Sequence, residues 1–298
     1  MLRSQKNARM AASQARPFHH FRTGSVIAPS PTVRQLQVFT GDPADEAAPV
    51  QGNPCRVTLL QQAPKSDPEP ADITQCYSWP LGKRHAAVQC WNASGRAINC
   101  CGHGMLASAA CWAQQWRGDG TLTMNGSQLA CHFDNQRIWL GFSAMQATTC
   151  AIPDWIEDIL GVAPLACATA GEQRGYLVVE LQADTCLADI AAPAASLGAH
   201  SQRALIVTCA VGTDRALHGE NIHFRYFAPQ YGVAEDAATG SAMRVLARYW
   251  RQRGLGDELQ ALQRSPEGGL LWSRVREQTT WVGGRVSFTD AAEEVAGV

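Results

Sequence analysis

Two stretches of the chain, CGHGMLASAACW at 101–112 and TGSAMRVLARYW at 239–250, echo each other. Gly102 aligns with Gly240, Met105 with Met243, Ala109 with Ala247 and Trp112 with Trp250, at an offset of 138 in a chain of 298 residues. Glycine and alanine are common, but a methionine and a tryptophan in register behind the same glycine mark an internal repeat. Strand-like runs flank both stretches. RQLQVFT (34–40), CRVTLL (55–60) and HAAVQCW (85–91) precede the first, and TLTMNG, LACHF and RIWLGF follow it. GYLVVEL (175–181), ALIVTCA (204–210) and HFRYF (223–227) precede the second, and LLWSRV and TTWVGGRVSF follow. Strands, helix, strands, given twice, predict an α/β (α+β) fold of two pseudo-symmetric halves. Each half is a mixed sheet wrapped around one central helix, and the two meet at a cleft.

The expected boundaries are 33–147 for the N-terminal half and 148–298 for the C-terminal half, with the last strand returning to the first half. The central helices are expected at 102–117 and from about Ala238 to Arg253. Pro153-Asp154-Trp155 opens a short helix that Gly161 closes, and another is expected near 257–263. Asp134-Asn135 reads as the turn of a hairpin. Residues 1–32 stand apart, with Arg3, Lys6, Arg9, Arg16, Arg22, the pair His19-His20 and no acid. Such a segment reads as a disordered or targeting-like extension, or as a start placed upstream of a true one at Met10 or later.

Composition removes several function classes. A formal net charge of −1 gives no basic field for nucleic acid. No apolar run reaches the roughly 18 residues of a membrane span. The eleven cysteines are odd in number and contain no CxxC pair, so neither zinc ligation nor a disulfide framework is expected. Reduced cysteines serving as small core residues, Cys100 and Cys111 among them, point to a reducing, cytoplasmic setting, with organelle targeting by residues 1–32 left open. The lysines are Lys6, Lys65 and Lys83, all far from the echoed stretches, which argues against Schiff-base chemistry.

Both echoed stretches begin with glycine and small residues. Helix N-termini of this kind present free N–H groups and the positive end of the helix dipole, which favour an anion. Two of them at one cleft would hold a small carboxylate and stabilise a developing enolate. Gly102, Gly104, Thr239, Gly240 and Ser241 are the candidates for that binding. Cys101 is placed to be a thiol of lowered pKa and a base for a carbon acid. His103 is a proton carrier near neutral pH. The segment AEDAATGS supplies Glu235 and Asp236. Asp236 reads equally as a helix cap or as a second acid/base, with Glu235 as its helper.

These residues resemble the diaminopimelate epimerase and proline racemase superfamily, most closely its phenazine-biosynthesis isomerase (PhzF-like) branch. The resemblance rests on Gly52-Asn53-Pro54 after an opening strand, CGH at 101–103, RYFAPQYGVAEDAATGSA at 225–242, and VGGRVSF near the end. It covers about residues 33–289. WNASGRAINCCGHG (91–104) is also similar to the corresponding helix start of the epimerases, where the Cys before Gly is a catalytic thiol. The resemblance implies a diaminopimelate epimerase-like fold, an active site between the halves, and no cofactor or metal. His103 and Asp236 would be polar active-site residues, Gly240 and Ser241 would hold the substrate carboxylate, and Asn53 and Gln75 would join the binding set. The branch's members are often dimers, so a homodimer is expected.

Two departures matter. The second epimerase thiol falls on Thr239. The branch's upstream glutamate falls on Gln75, in Thr74-Gln75-Cys76, and glutamine cannot act as a base. The expected function is cofactor-independent proton transfer at carbon of a small amino or hydroxy acid, an isomerase or epimerase. The alternatives are a dehydratase-type β-elimination in the same site and a non-catalytic small-molecule-binding protein.

Overall fold

The computed structural model describes residues 31–45, 49–134, 136–289 and 293–294. The extension over residues 1–30 and Asn135 of the expected turn lie outside the described residues. In the first half, β1 (Thr32–Thr40), β2 (Asn53–Leu59), β3 (Thr74–Gly82), β4 (His85–Trp91) and β5 (Ala97–Ile98) precede helix α1 (Gly102–Trp116). Strands β6 (Gly120–Met124), β7 (Ser127–Phe133) and β8 (Ile138–Ser143) follow it. A short β9 (Ala147–Cys150) and α2 (Ile156–Leu160) lead into the second half. There β10 (Ala166–Ala170), β11 (Tyr176–Glu180), α3 (Ala194–His200), β12 (Ala204–Ala210) and β13 (Ile222–Phe227) precede α4 (Gly240–Gln252). Strands β14 (Glu258–Gln263), β15 (Gly269–Arg276) and β16 (Thr279–Phe288) follow it, and a two-residue β17 (Glu293–Glu294) pairs with the start of β1.

The two sheets share one pairing pattern. β1–β2 is antiparallel, β2–β3 parallel, β3–β4 antiparallel, β4–β6 parallel, and β6–β7–β8 antiparallel. The second half repeats the order as β10–β11, β11–β12, β12–β13, β13–β14 and β14–β15–β16. A parallel neighbour needs a crossover, and the central helices supply it: α1 joins β4 to β6, and α4 joins β13 to β14. The halves close each other. β16 pairs with β8 over Thr279–Gly284 and then with β1 over Arg285–Phe288. Its counterpart β8 pairs with β16, and β9, which continues β8, pairs with β10. Each sheet is thereby wrapped around its helix, with the exchanged strands covering edges that would otherwise be free.

The tryptophan register has a physical cause. Trp112 Nε1 donates to Ser78 Oγ on β3 (2.8 Å), and Ser78 Oγ donates to the carbonyl of Ala87 on β4 (2.8 Å). In the second half, Trp250 Nε1 donates to Thr208 Oγ1 on β12 (3.1 Å), and Thr208 donates to the carbonyl of His223 on β13 (2.8 Å). A buried indole N–H gains from an acceptor, and a hydroxyl on the equivalent strand provides it for both of these tryptophans. The helices are built of small and apolar residues because they lie inside a sheet. In α1 every residue from Gly102 to Ala110 is buried. In α4 even Arg248 is buried, its Nε donating to Thr280 Oγ1 and its Nη2 to the carbonyl of Glu277.

Three expectations change. Residues 258–263 form strand β14, not a helix: they pair parallel to β13 and antiparallel to β15, and Leu259 and Ala261 are buried between them. A backbone between two strands must join their ladders, and this requirement overrides the helical preference of ELQALQ. Strand β3, which carries Gln75 and Cys76, adds to the strands expected in the first half. Thr32 already belongs to β1, so this strand reaches into the expected extension. The short helix after Pro153 ends at Gly161 in the left-handed conformation, as its sequence indicates. Among the described residues no helix is long and apolar enough to cross a membrane.

Candidate active site at two helix N-termini

The starts of α1 and α4 touch. A Cβ built on Gly102 would lie 3.1 Å from the Cα of Gly240, and one built on Gly240 would lie 3.4 Å from the Cα of Gly102 and 3.1 Å from Phe39 Cζ. Any larger residue at either position would crowd the facing helix start. The N–H groups of Gly102, His103 and Gly104 on one side, and of Gly240, Ser241 and Ala242 on the other, have no acceptor within their own helices. Both starts open into one cavity of about 410 Å³, within the range of small-ligand sites.

Seven expected site residues line that cavity: Cys101, Gly102, His103, Asp236, Thr239, Gly240 and Ser241. Asn53 and Gly104 stand directly behind them. Asn53 Nδ2 donates to Asp236 Oδ1 (2.7 Å) and to the carbonyl of Ala238 (2.9 Å), and lies 3.4 Å from His103 Nδ1. Gly104 leaves room for sulfur atoms, described below. Gln75 is not brought to the cavity. It lies on the opposite face of β3 from Thr74 and Cys76, and its Nε2 donates to the carbonyl of Glu69 (2.6 Å). Thr74 lines the cavity instead, so no carboxylate from this strand reaches the site.

Cys101 is 3% exposed and sits among hydrogen-bonding partners. The thiols of Cys76 and then Cys90 stabilise its charged form, burial opposes them, and the His103 imidazolium adds to them; the Cys101 pKa falls well below the ordinary thiol value. Burial disfavours an imidazolium at His103, yet the Cys101 thiolate and the Asp236 carboxylate outweigh it and raise its pKa to about 10. The sulfur lies 3.8 Å from His103 Nδ1. A thiolate–imidazolium pair at a helix N-terminus results. Asp236 moves the other way: burial raises its pKa, offset only in part by His103, Thr239 and Asn53.

Asp236 does not cap α4. Its Oδ2 accepts from Thr239 Oγ1 (2.6 Å) and its Oδ1 from Asn53. No side chain caps either central helix. Glu235 is committed elsewhere, receiving Arg225 Nε (2.6 Å) and Nη2 (2.7 Å) in a bidentate pair. It therefore braces the loop ahead of Asp236 and does not join it in the cleft. Gln263 on β14 holds the same loop, accepting from the Thr239 N–H (2.7 Å) and donating to the Asp236 carbonyl.

Other wall residues carry no signal in the sequence. Tyr176, Tyr226 and Tyr231 supply aromatic surface, and Arg96 and Arg174 stand exposed at the rim. Burial pushes the Tyr176 hydroxyl up to about 12 and raises that of Tyr226 well above its ordinary value, so both stay neutral at neutral pH. Cys100, expected in the core, is exposed and lines the cavity, whereas Cys111 packs partly buried against the core. Among the described residues no group of three or more His, Cys, Asp or Glu is arranged to hold a metal ion.

The family model for phenazine biosynthesis-like proteins (PhzC-PhzF) matches residues 141–284. An uncharacterized isomerase of Vibrio cholerae is 31% identical over 231 residues, 74% of this chain and 77% of that protein. An uncharacterized isomerase of Pseudomonas aeruginosa is 26% identical over 266 residues, 85% of this chain and 96% of that protein. The crystal structure of a PhzF-family protein of Enterococcus faecalis superposes with a TM-score of 0.74 at 22% identity, covering 90% of this chain and 99% of that one.

Proposed function

The chain belongs to the phenazine biosynthesis-like (PhzC-PhzF) family, and from that premise we propose that it is an isomerase that moves a proton at a carbon of a small amino or hydroxy acid with its own side chains. The observation that carries this reading is the glycine-to-glycine contact of two helix N-termini at one cavity that also holds Cys101, His103 and Asp236. The substrate carboxylate sits against the free N–H groups of both helices, whose dipoles stabilise it and the enolate-like charge that grows next to it.

The Cys101 thiolate takes the proton from the α-carbon. His103, charged up to about pH 10, stabilises the thiolate beforehand and the developing negative charge afterwards. Asp236, whose pKa is raised by burial, acts in its protonated form and returns a proton to the substrate from the α4 side, directly or through the Thr239 hydroxyl hydrogen-bonded to it, and the two groups recover their starting protonation from solvent after release. Binding energy from Tyr176 and Tyr226 on the remainder of the substrate fixes the reacting carbon near the sulfur.

The test is solvent deuterium incorporation into a panel of small amino and hydroxy acids, followed by mass spectrometry and chiral analysis. Deuterium at the α-carbon, lost in Cys101→Ala, supports the reading. Deuterium uptake that persists in Cys101→Ala removes Cys101 as the base. Loss of water from a β-hydroxy substrate assigns the site to elimination. Binding with no exchange in any member of the panel assigns it to a binding protein.

A further inference from the structure

The proton-transfer scheme uses Cys101 alone among the thiols gathered behind α1. Cys55, Cys76 and Cys90, on β2, β3 and β4, are each 0% exposed. Cys55 Sγ lies 3.6 Å from Cys76 Sγ, and Cys76 Sγ lies 2.9 Å from Cys90 Sγ. Cys76 and Cys90 are directly opposed residues of the antiparallel β3–β4 pair. Opposed residues have Cα atoms ~4.5–5.5 Å apart, inside the ~4.4–6.8 Å that a disulfide spans. The Cys101 sulfur reaches the same point. A Cβ built on Gly104 would lie 2.5 Å from Cys76 Sγ, 2.8 Å from Cys90 Sγ and 2.9 Å from Cys101 Sγ. The glycine is thus the gap through which three sulfurs meet. Of the three cysteines, Cys101 lines the cavity, and the other two do not.

We propose that Cys101, Cys76 and Cys90 form a thiol relay in which a small hydroperoxide is reduced at Cys101 and the oxidation passes on to a buried Cys76–Cys90 disulfide. A hydroperoxide that diffuses into the cavity meets the Cys101 thiolate first. The sulfur attacks the distal oxygen and the O–O bond breaks. The departing alkoxide takes a proton from the His103 imidazolium, and Cys101 becomes a sulfenic acid, oxidised by two electrons. The Cys76 sulfur then attacks the Cys101 sulfur. Hydroxide leaves with the Cys76 thiol proton as water, and a Cys101–Cys76 disulfide forms. The Cys90 sulfur attacks the Cys76 sulfur and expels the Cys101 thiolate, while the Cys90 proton returns to His103. One hydroperoxide and two thiols give one alcohol, one water and one disulfide. Cys101 is the favoured leaving group because its thiol is the most acidic of the three. The relay shields the cleft thiol from further oxidation to sulfinic acid, a step that is not readily reversed.

The inference is independent of the proton-transfer reading, and its readout is covalent. The full chain is fully reduced, treated with one equivalent of hydrogen peroxide, quenched by alkylation in acid and mapped by peptide mass spectrometry. The expected product is a Cys76–Cys90 disulfide with Cys101 alkylated. In Cys90→Ser the reaction stops at a Cys101–Cys76 disulfide that dithiothreitol releases. In Cys101→Ser the Cys76–Cys90 disulfide appears at least about tenfold more slowly, since the thiolate that receives the oxidant is gone. Cys101 sulfenic acid, or with a second equivalent of peroxide Cys101 sulfinate, with Cys76 and Cys90 still free in the unaltered chain overturns the relay. So does a Cys76–Cys90 disulfide that forms at the same rate in Cys101→Ser. The unaltered chain decides the first point, so a variant that fails to fold leaves the proposal falsifiable.

Discussion

Cys101 and Thr239 begin α1 and α4 with nearly the same backbone, φ −124°, ψ 90° against φ −121°, ψ 95°, and neither side chain caps its own helix. Repetition of the fold has kept the scaffold of both helix starts: the glycine after the cap, the free N–H groups, and the buried tryptophan farther along, tied to a strand hydroxyl. What differs is the company of each side chain. Around Cys101 stand two thiols and an imidazole, which favour the anion. Around Thr239 stand the Asp236 carboxylate, which accepts a hydrogen bond from its hydroxyl, and Gln263, which fixes its N–H. A common backbone therefore supports an acidic thiol at the start of α1 and a carboxyl of raised pKa beside the start of α4. Two equivalent thiols would make the halves interchangeable in proton transfer; here the proposed labour is divided.

The division is broken most severely by removing either reactive group. On the proposed mechanism, Cys101→Ala and Asp236→Asn each lower deuterium exchange into substrate by about 10²–10⁴-fold, the span of general acid–base catalysis. Thr239→Val, which deletes the donor to Asp236 while keeping the shape, costs about tenfold, and Thr239→Ser restores it. If Asp236→Asn is silent while Cys101→Ala is not, the start of α4 is only a carboxylate clamp.

A smaller effect tests the shared scaffold. Gly102→Ala pushes a methyl group to 3.1 Å from the Gly240 backbone, while Gly240→Ala meets the tip of the Phe39 ring at 3.1 Å and the Gly102 Cα at 3.4 Å. Backbone cannot swing aside as a ring edge can. Gly102→Ala should therefore destabilise by about 1–3 kcal/mol and Gly240→Ala by less, read from denaturant midpoints. Equal costs would show that the two helix starts yield alike.

How much of this was legible in the sequence follows from where the signal resides. The central helices could be read because packing inside a sheet demands small residues and a tryptophan at a set distance from the glycine, and both demands are local. The fold class followed from repeating that local pattern. Strand β14 reads as a helix because ELQALQ has helical preference, and its partners, β13 and β15, exert their claim only in three dimensions. Gln75 joins the expected site by its place in a family pattern, but a strand alternates its faces, so a position one residue away from Thr74 points out of the cavity. The tyrosines of the wall come from β11, β13 and the loop after it, and no spacing along the chain links them. The thiol cluster is hidden for the same reason. Cys55, Cys76 and Cys90 look like ordinary core cysteines until their strands are laid side by side.

The mildest probe compares thiols at the starts of α1 and α4 directly. Cys101 carries a lowered pKa, and His103 stays charged up to about pH 10, so between those limits the thiolate and its counter-ion coexist. Its alkylation by iodoacetamide should be flat with pH around neutrality and fall only as acid protonates the sulfur. A thiol introduced by Thr239→Cys gains the same kind of helix N-terminus but faces the Asp236 carboxylate instead of an imidazolium. A nearby negative charge disfavours a thiolate, so this thiol should titrate at or above the ordinary value of about 8.5, and near pH 7 it should react roughly tenfold more slowly than Cys101. Both rates can be read in one sample by peptide mapping, so refolding differences cancel. If the two thiols titrate together, the helix N-terminus alone sets their acidity, and the thiols and imidazole around Cys101 contribute packing and not charge.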